Sequence, residues 1–353
     1  MFESVMWEYI REEKEVLWNM LKDPSIQTIA QAYRDIECIY IIGHGSSYNA
    51  ATSVRPALER DCRIPVYVVT PSAFMHTTHS FDWKEKDTTL VIGISQTGTS
   101  RGVVESLKMA KAKGCKVLGL TNEKGSPTDT LSDDIIDFHC GIEDSNAKTK
   151  GYSCTLLALL LLDLYLAQAK GTISEEQFGV YKKDLEQEVM NLDTVISNIT
   201  DWCHKNQYGK GMTHIYVLGD GLNFGTSMEG QLKLMETMCI PTMFNDTVEF
   251  SHGMHRSITK DSYVILLNDG TEKELVDRTF DYLVNLKAHT IMVTNQDEIG
   301  ENILSVPKYT YQSSLLSIVA IIQVISVFVP EINGLNPNRN ANNDYTDAVK
   351  TRV

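Results

Sequence analysis

The residues that could do chemistry gather in three places. Two are hydroxyl-rich turns, Gly45-Ser46-Ser47 and Ser95-Gln96-Thr97-Gly98-Thr99-Ser100, and the third is the stretch SMEGQLKLMETMCI at 227–240. Each turn follows a β-rich run and precedes a helical one. At that edge of an open α/β sheet, unpaired helix N–H groups and a partial positive charge favour anions. Ser and Thr hydroxyls rotate to donate to phosphate oxygens, and Gly98 lets the backbone approach closely. Singly, such residues read as helix caps and turn formers. Gathered on two strand ends of one half of the chain, they point to a phosphate monoester.

In the third stretch, Met228, Leu232, Met235 and Cys239 fall at helical spacing and are expected to form a buried stripe. Glu229, Lys233 and Glu236 repeat that spacing one residue along, bordering it. They read either as a solvated salt-bridge face or as a carboxylate at a buried margin, suited to general-base work. Two His-x-x-His pairs, His76/His79 and His252/His255, raise a metal. Neither has a nearby cysteine or a His-Glu-x-x-His arrangement, so a metal-free histidine acid or base is the better functional reading.

Other phosphate chemistries are excluded by motif. Tyr48 stands where a dinucleotide fingerprint needs its third glycine, and no Gly-x4-Gly-Lys-Ser/Thr occurs. With 32 Lys+Arg against 46 Asp+Glu, the formal net charge of −14 opposes nucleic acid as a partner. The 7 cysteines include no Cys-x-x-Cys and do not suit a disulfide framework. The N-terminal residues lack the pattern of a signal peptide, and the apolar run 156–166 is broken by Asp163 and too short for a bilayer span. A reduced, soluble, cytoplasmic protein without a membrane partner is expected.

Strands are expected at 37–42, 65–69, 88–94, 116–120, 134–139, 214–218, 262–267 and 289–293, alternating with helical periodicity. That is an α/β protein with mostly parallel sheets. The corner Tyr40-Ile-Ile-Gly43-His-Gly45 recurs 176 positions later as Tyr216-Val-Leu-Gly219-Asp-Gly221, and Leu118-Gly-Leu-Thr121-Asn122 recurs at an offset of 173 as Ile291-Met-Val-Thr294-Asn295. A duplicated unit accounts for both. The second copy has lost the hydroxyls: its corners read Gly221-Leu222-Asn223 and Asn268-Asp269-Gly270-Thr271. The expected division is a helical segment 1–36, a first domain 37–170, a helical connector 171–206 and a second domain 207–353 with its tail. The apolar helices at 155–167 and 315–329 are expected in the core or at a subunit interface.

With these motifs in order, the chain resembles the sugar isomerase (SIS) domain family, and within it the isomerase half of glutamine–fructose-6-phosphate amidotransferase and the stand-alone deglycases. Gly45-Ser-Ser-Tyr48-Asn49 resembles the family's Gly-Thr-Ser-Tyr-Asn, and Ser95-Gln96-Thr97-Gly98 its Ser-Gln-Ser-Gly. Glu143 through Ala147 to Thr149-Lys150-x-Tyr152 resembles Glu-x3-Ala-Ser-Thr-Lys-Ala-Tyr. Glu229-Gly230-x-Leu232-Lys233-Leu234-x-Glu236 resembles Glu-Gly-Ala-Leu-Lys-Leu-Lys-Glu, with Glu249-x-x-His252-Gly253 at the family spacing. The resemblance runs from about residue 37 to the C-terminus and implies two tandem three-layer αβα units that together make one site.

It further implies a sugar 6-phosphate held by Ser47, Ser95, Gln96, Thr97 and Ser100, with Gly45, Ser46, Ala147, Lys148, Glu229 and Lys233 completing the binding set. Glu236 would move a proton between C1 and C2, and His252 would help open the ring, in the neighbouring subunit's site of a homodimer. No metal or organic cofactor is implied. Met1 is not followed by a nucleophilic cysteine, so glutaminase activity is not expected. Lys148 replaces the family's serine, read either as solvent-facing or as gripping an anionic substituent. Asn343 stands near the place of the family's tail lysine, leaving Lys350 as its replacement. The function expected is a phosphosugar isomerase or deglycase of the fructosamine 6-phosphate type. The alternative is a non-catalytic sugar-phosphate-binding regulator.

Overall fold

The computed structural model describes residues 4–78, 85–311 and 314–353. Apolar runs rich in Val, Ile and Leu form two sheets of five parallel strands. In the first, β1 (Cys38–Ile42), β2 (Val66–Val69), β3 (Thr89–Ile94), β4 (Lys116–Thr121) and β5 (Asp134–Asp137) lie in the order β2-β1-β3-β4-β5. In the second, β6 (Ile215–Gly219), β7 (Thr242–Asn245), β8 (Tyr263–Asn268), β9 (His289–Thr294) and β10 (Ile303–Ser305) lie in the order β10-β9-β8-β6-β7. Taken from the β7 edge, the second order repeats the first strand for strand. β1, β3, β6 and β8 are buried along their whole length, as parallel strands covered on both faces are.

The helices are α1 (Val5–Lys22), α2 (Ser25–Ala32), α3 (Ser46–Cys62), α4 (Pro71–His76), α5 (Arg101–Ala112), α6 (Pro127–Leu131), α7 (Lys150–Lys170), α8 (Glu175–Asn206), α9 (Asn223–Met238), α10 (Thr247–Phe250), α11 (Lys273–Asn285), α12 (Leu315–Ile332) and α13 (Tyr345–Ala348). Parallel strands need crossover connections, and the helices between strands supply them. The duplication extends to the cores. Tyr40 on β1 meets Phe74 of α4 edge-on with ring centroids 5.8 Å apart. At the repeat positions, Tyr216 on β6 meets Phe250 of α10 edge-on at 6.3 Å. The architecture is the duplicated α/β arrangement with parallel sheets expected from the sequence.

β7 and β10 are strands that the sequence reading did not anticipate. β7 (TMFN) lacks the β-branched run that marks its counterpart β2 (VYVV), and β10 has only 3 residues. α7 and α12 are each long and apolar enough to cross a bilayer, and 89% of the apolar window of each is buried within the protein.

Contacts divide the chain into two units whose borders differ from the chain-order borders above. The first unit comprises Val16–Glu143, Gly151–Lys182 and Asn340–Val353; the second comprises the N-terminal residues through Glu15, Asp144–Lys150 and Lys183–Arg339. The tail joins the first unit because Arg101 N–H donates to Thr351 O at 3.1 Å and Val353 N–H to Thr99 O at 3.0 Å. Asp144–Lys150 joins the second because Asn338, Arg339, Gln323 and Tyr9 hold it.

Candidate active site

In the first unit, β1 and β3 are neighbours, so the two hydroxyl-rich turns emerge side by side from their C-terminal ends. Gly45 takes φ 52° at the N-cap of α3, a left-handed conformation that glycine adopts without strain. It brings no capping side chain. Ser100 occupies the N-cap of α5, yet its hydroxyl closes no cap either. Elsewhere in the unit the hydroxyls of Thr70 and Ser126 do cap, accepting from Ala73 N–H at 3.2 Å and Asp129 N–H at 3.3 Å. The capping reading therefore fails at the two turns where ligand contact is expected.

The second turn is held from behind. Gly98 O accepts from Thr128 N–H at 3.0 Å and from its hydroxyl at 2.9 Å, and Gln96 O accepts from Asn122 N–H at 3.0 Å. Gly98 has φ +66°, and a Cβ there would stand 2.0 Å from Ser126 Oγ. Only glycine fits. Ser95 Oγ accepts from Ser100 N–H at 3.3 Å, and Thr97 and Thr99 join hydroxyls at 3.0 Å. Gln96 Nε2 lies 3.4 Å from both Cys140 Sγ and Glu143 Oε2, and Glu143 Oε2 also accepts from Gly151 N–H at 2.9 Å. A Cβ on Gly151 would come within 2.7 Å of Gln96 Nε2 and Glu143 Oε2. Cys140 and Gly151 are site-supporting residues that sequence reasoning missed. The glycine in place of the family's alanine was the available signal.

In the second unit, α9 presents the reverse of the expected face. Met235 is 40% exposed and Cys239 is exposed, while Met228 and Leu232 are only partly buried. The buried face carries Thr226, Gly230, Lys233 and Thr237. The cause is close packing. A Cβ on Gly230 would lie 3.0 Å from Val217 on β6 and 3.4 Å from Ile322 on α12, so small residues must face inward. Glu229 and Lys233, read as bordering a buried stripe, are inside it, at 2% and 0% exposure, and satisfy each other at 2.5 Å. A paired, hydrogen-bonded charge is the form in which burial is tolerated.

Glu236, one turn on, has no such partner. Its Oε2 is sealed from solvent without a hydrogen bond, and Lys233 Nζ stands 3.9 Å away, while the side chain as a whole is 34% exposed. Burial pushes this carboxyl up to about 7; Lys233 pulls it down, Glu229 pushes it up and Lys148 pulls it down. A carboxylate at that value can accept and return a proton at neutral pH. Lys148 is half-buried, neither fully solvent-facing nor sealed. Ala147 is fully buried, its carbonyl taking the Ser145 hydroxyl at 2.9 Å.

The remaining candidates are placed differently. His252 lies exposed on the turn after α10, and its ring makes no hydrogen bond among the described residues. Lys350 is exposed in the tail with φ +53°, and the tail belongs to the first unit. Of the two histidine pairs, His79 lies outside the described residues. Among the described residues no group of three His, Cys, Asp or Glu side chains could hold a metal.

Comparison with known proteins fits this geometry. The SIS domain family profile matches residues 32–164 and 211–300, well over half of the chain. A glutamine–fructose-6-phosphate aminotransferase (isomerizing) from Clostridium perfringens is 30% identical over 354 aligned positions, covering 96% of this chain and 55% of the relative. The chain thus spans about half the length of such curated relatives. A solved structure from Clostridium difficile 630, assigned as a phosphosugar isomerase, superposes with TM-score 0.88 at 28% identity, covering 98% of this chain and 97% of that one. The C-terminal domain of glucosamine-fructose-6-phosphate aminotransferase from Francisella tularensis has the same fold, with TM-score 0.85 at 21% identity over 96% of this chain and 99% of that one. With two matched segments, one in each copy of the repeat, the chain belongs to the SIS domain family.

Proposed function

We propose that this protein is a phosphosugar isomerase or deglycase acting on a 6-phosphorylated sugar or amino sugar of the fructosamine 6-phosphate type. The phosphate is assigned to the first unit, where Ser46, Ser47, Ser95, Gln96, Thr97 and Ser100 gather at two helix N-termini with Gly45 opening the first turn. Hydroxyls and N–H groups there hold a dianion without any basic surface, which reconciles the ligand with a net charge of −14. Proton transfer is assigned to the second unit. Glu236 takes the proton from one of C1 and C2 and returns it to the other through an enediol or enolamine.

The observation that carries this reading is the state of Glu236: one oxygen sealed without a hydrogen bond, and the carboxyl held up to about 7. Glu229 and Lys233 form the fixed ion pair beneath it. His252 is assigned to ring opening, in the site of a second copy of the chain. Its exposed ring, unengaged by described residues of its own chain, supports that role. In the deglycase version the enolamine is reprotonated at C2, and water then splits the resulting C1 imine, releasing the amine and a hexose 6-phosphate.

The test is incubation with a panel of hexose, hexosamine and fructosamine 6-phosphates, with products followed by mass spectrometry. Turnover of one member, lost in Glu236→Gln, is expected. Saturable binding with no product after prolonged incubation would replace the enzyme by a sugar-phosphate sensor.

A further inference from the structure

Residues Asp144–Lys150 come from the first half of the chain but are built into the second unit. One of their attachments leads, through Arg339, to the C-terminal end of α9. Asn146 N–H donates to Asn338 Oδ1 at 3.1 Å, and Asn146 Nδ2 donates to Arg339 O at 3.1 Å. The Arg339 guanidinium in turn donates to Thr237 O at 2.5 Å, the residue next to Glu236. The far end is fixed as well: Gln323 Nε2 donates to Thr149 O at 3.1 Å, and Lys150 pairs with Glu12. Two residues beyond Asn146, within this clamp, stands the half-buried Lys148.

We propose that Asp144–Lys150 is a positioning element for Glu236, with Lys148 its working cation. The ionisable surroundings of Glu236 leave that role open. On its own helix, Lys233 is bound to Glu229 at 2.5 Å and stands 3.9 Å from Glu236. β6, β7, β8 and α12 pack on α9. Of their ionisable groups, Tyr216 and Tyr263 bond Ser257 and Lys210 O, and Glu331 is held by Ser4 N–H and Trp7 Nε1. Arg339 is committed through one nitrogen to the Thr237 and Asn336 carbonyls. Lys148 lies two residues from Asn146, which Arg339 ties to the residue beside Glu236, so the clamp brings a cation from outside α9 toward this end of the helix, where its charge favours the proton-accepting form. The catalytic consequence rests on the reading of Glu236 given under Proposed function; the electrostatic one does not.

The experiment uses the full-length protein without substrate. The Glu236 carboxylate is titrated by carbon NMR, its resonance identified by its loss in Glu236→Gln. Lys148→Met is expected to move the midpoint upward by about one pH unit, Lys148→Arg to restore it, and Asn146→Ala, which loosens the clamp, to move it part of the way. With substrate, the acid limb of kcat/KM moves by the same amount. An unmoved midpoint in a Lys148→Met variant whose melting temperature is unchanged overturns the proposal. So does a rise in KM with the midpoint fixed, which makes Lys148 a direct substrate contact. If Lys148→Met does not fold, Lys148→Gln against Lys148→Arg makes the same comparison. The titration is read without turnover, so failure of the phosphosugar assignment and failure of this proposal give different results.

Discussion

The corner after β1 and the corner after β6 share strand order, offset and a glycine with positive φ, yet their electrostatics are opposed. After β1, Gly45 and two half-buried serines open α3 with no acidic side chain in its first turn. After β6, Asp220 is 5% exposed and accepts from the Thr247 N–H at 3.0 Å and from its hydroxyl at 2.6 Å. Asn223, at the position of Ser47, donates to Asp269 Oδ2 at 3.1 Å, and Gln296 donates to Asp269 O. One corner carries hydroxyls and no acid, and the other carries a buried carboxylate of its own. The two copies keep one strand order, while a few substitutions separate the chemistry of their corners, and under the proposed function they decide which copy takes the phosphate.

The sharpest way to break this comparison is at the carboxylate. Glu236→Gln is expected to lower kcat by roughly 10²–10⁴-fold with little change in KM, since a positioned acid–base group contributes about that much. In the unsubstituted enzyme kcat/KM should rise with pH through about 7, as Glu236 becomes the carboxylate. A profile flat from pH 5 to 8 would remove it as the base. Next in size are the phosphate hydroxyls. Ser47→Ala and Ser95→Ala should each raise KM roughly 10–100-fold, the equivalent of about 1.5–3 kcal/mol for a hydrogen bond to a charged group. Asp269→Asn in the other corner should leave KM unchanged. Equal effects in both corners would make the units functional equivalents.

Smaller still is the effect of closing the turns. Gly98→Ala drives a Cβ to 2.0 Å from Ser126 Oγ at positive φ and should destabilise by about 1–3 kcal/mol, read from the melting temperature. Gly270→Ala, at φ +91°, meets only the end of the Gln296 side chain at 3.0 Å and should cost less. The smallest expected effect concerns Glu188, fully buried on α8 and accepting from Ser317 N–H at 2.9 Å. Burial pushes its carboxyl up to about 7 against the backbone donors of α12. Because the folded value lies above the unfolded one, this group's contribution is fully present below about 4.5 and is lost as pH rises through 7. Glu188→Gln should flatten the fall of melting temperature over that window.

The central strands and the strand-to-helix position of the hydroxyl-rich turns were legible in the sequence because both are local. A buried parallel strand is an unbroken apolar run, and each of these turns is a cluster of hydroxyls between a strand and a helix. The face of α9 was misread because spacing counts apolar residues, whereas the packing of this helix is set by Gly230 against Val217 and Ile322. A buried Lys233–Glu229 pair looks, in sequence, like a solvated one. Lys148 and Glu236 stand 88 positions apart in the chain. The segment that carries Lys148 is held by Asn338 and Arg339 through Asn146, polar loop residues with no periodicity to read.

The seven residues from Asp144 to Lys150 also bear on how this duplicated protein can be taken apart. Each unit is assembled from three stretches of chain, so no single cut, and no single crossover between genes, yields two whole units. Severed at the turn between α7 and α8, the C-terminal fragment would keep Glu236 and lose Lys148, and the N-terminal fragment would lose the tail strand on Thr99. Each unit is whole only when both halves of the chain are present.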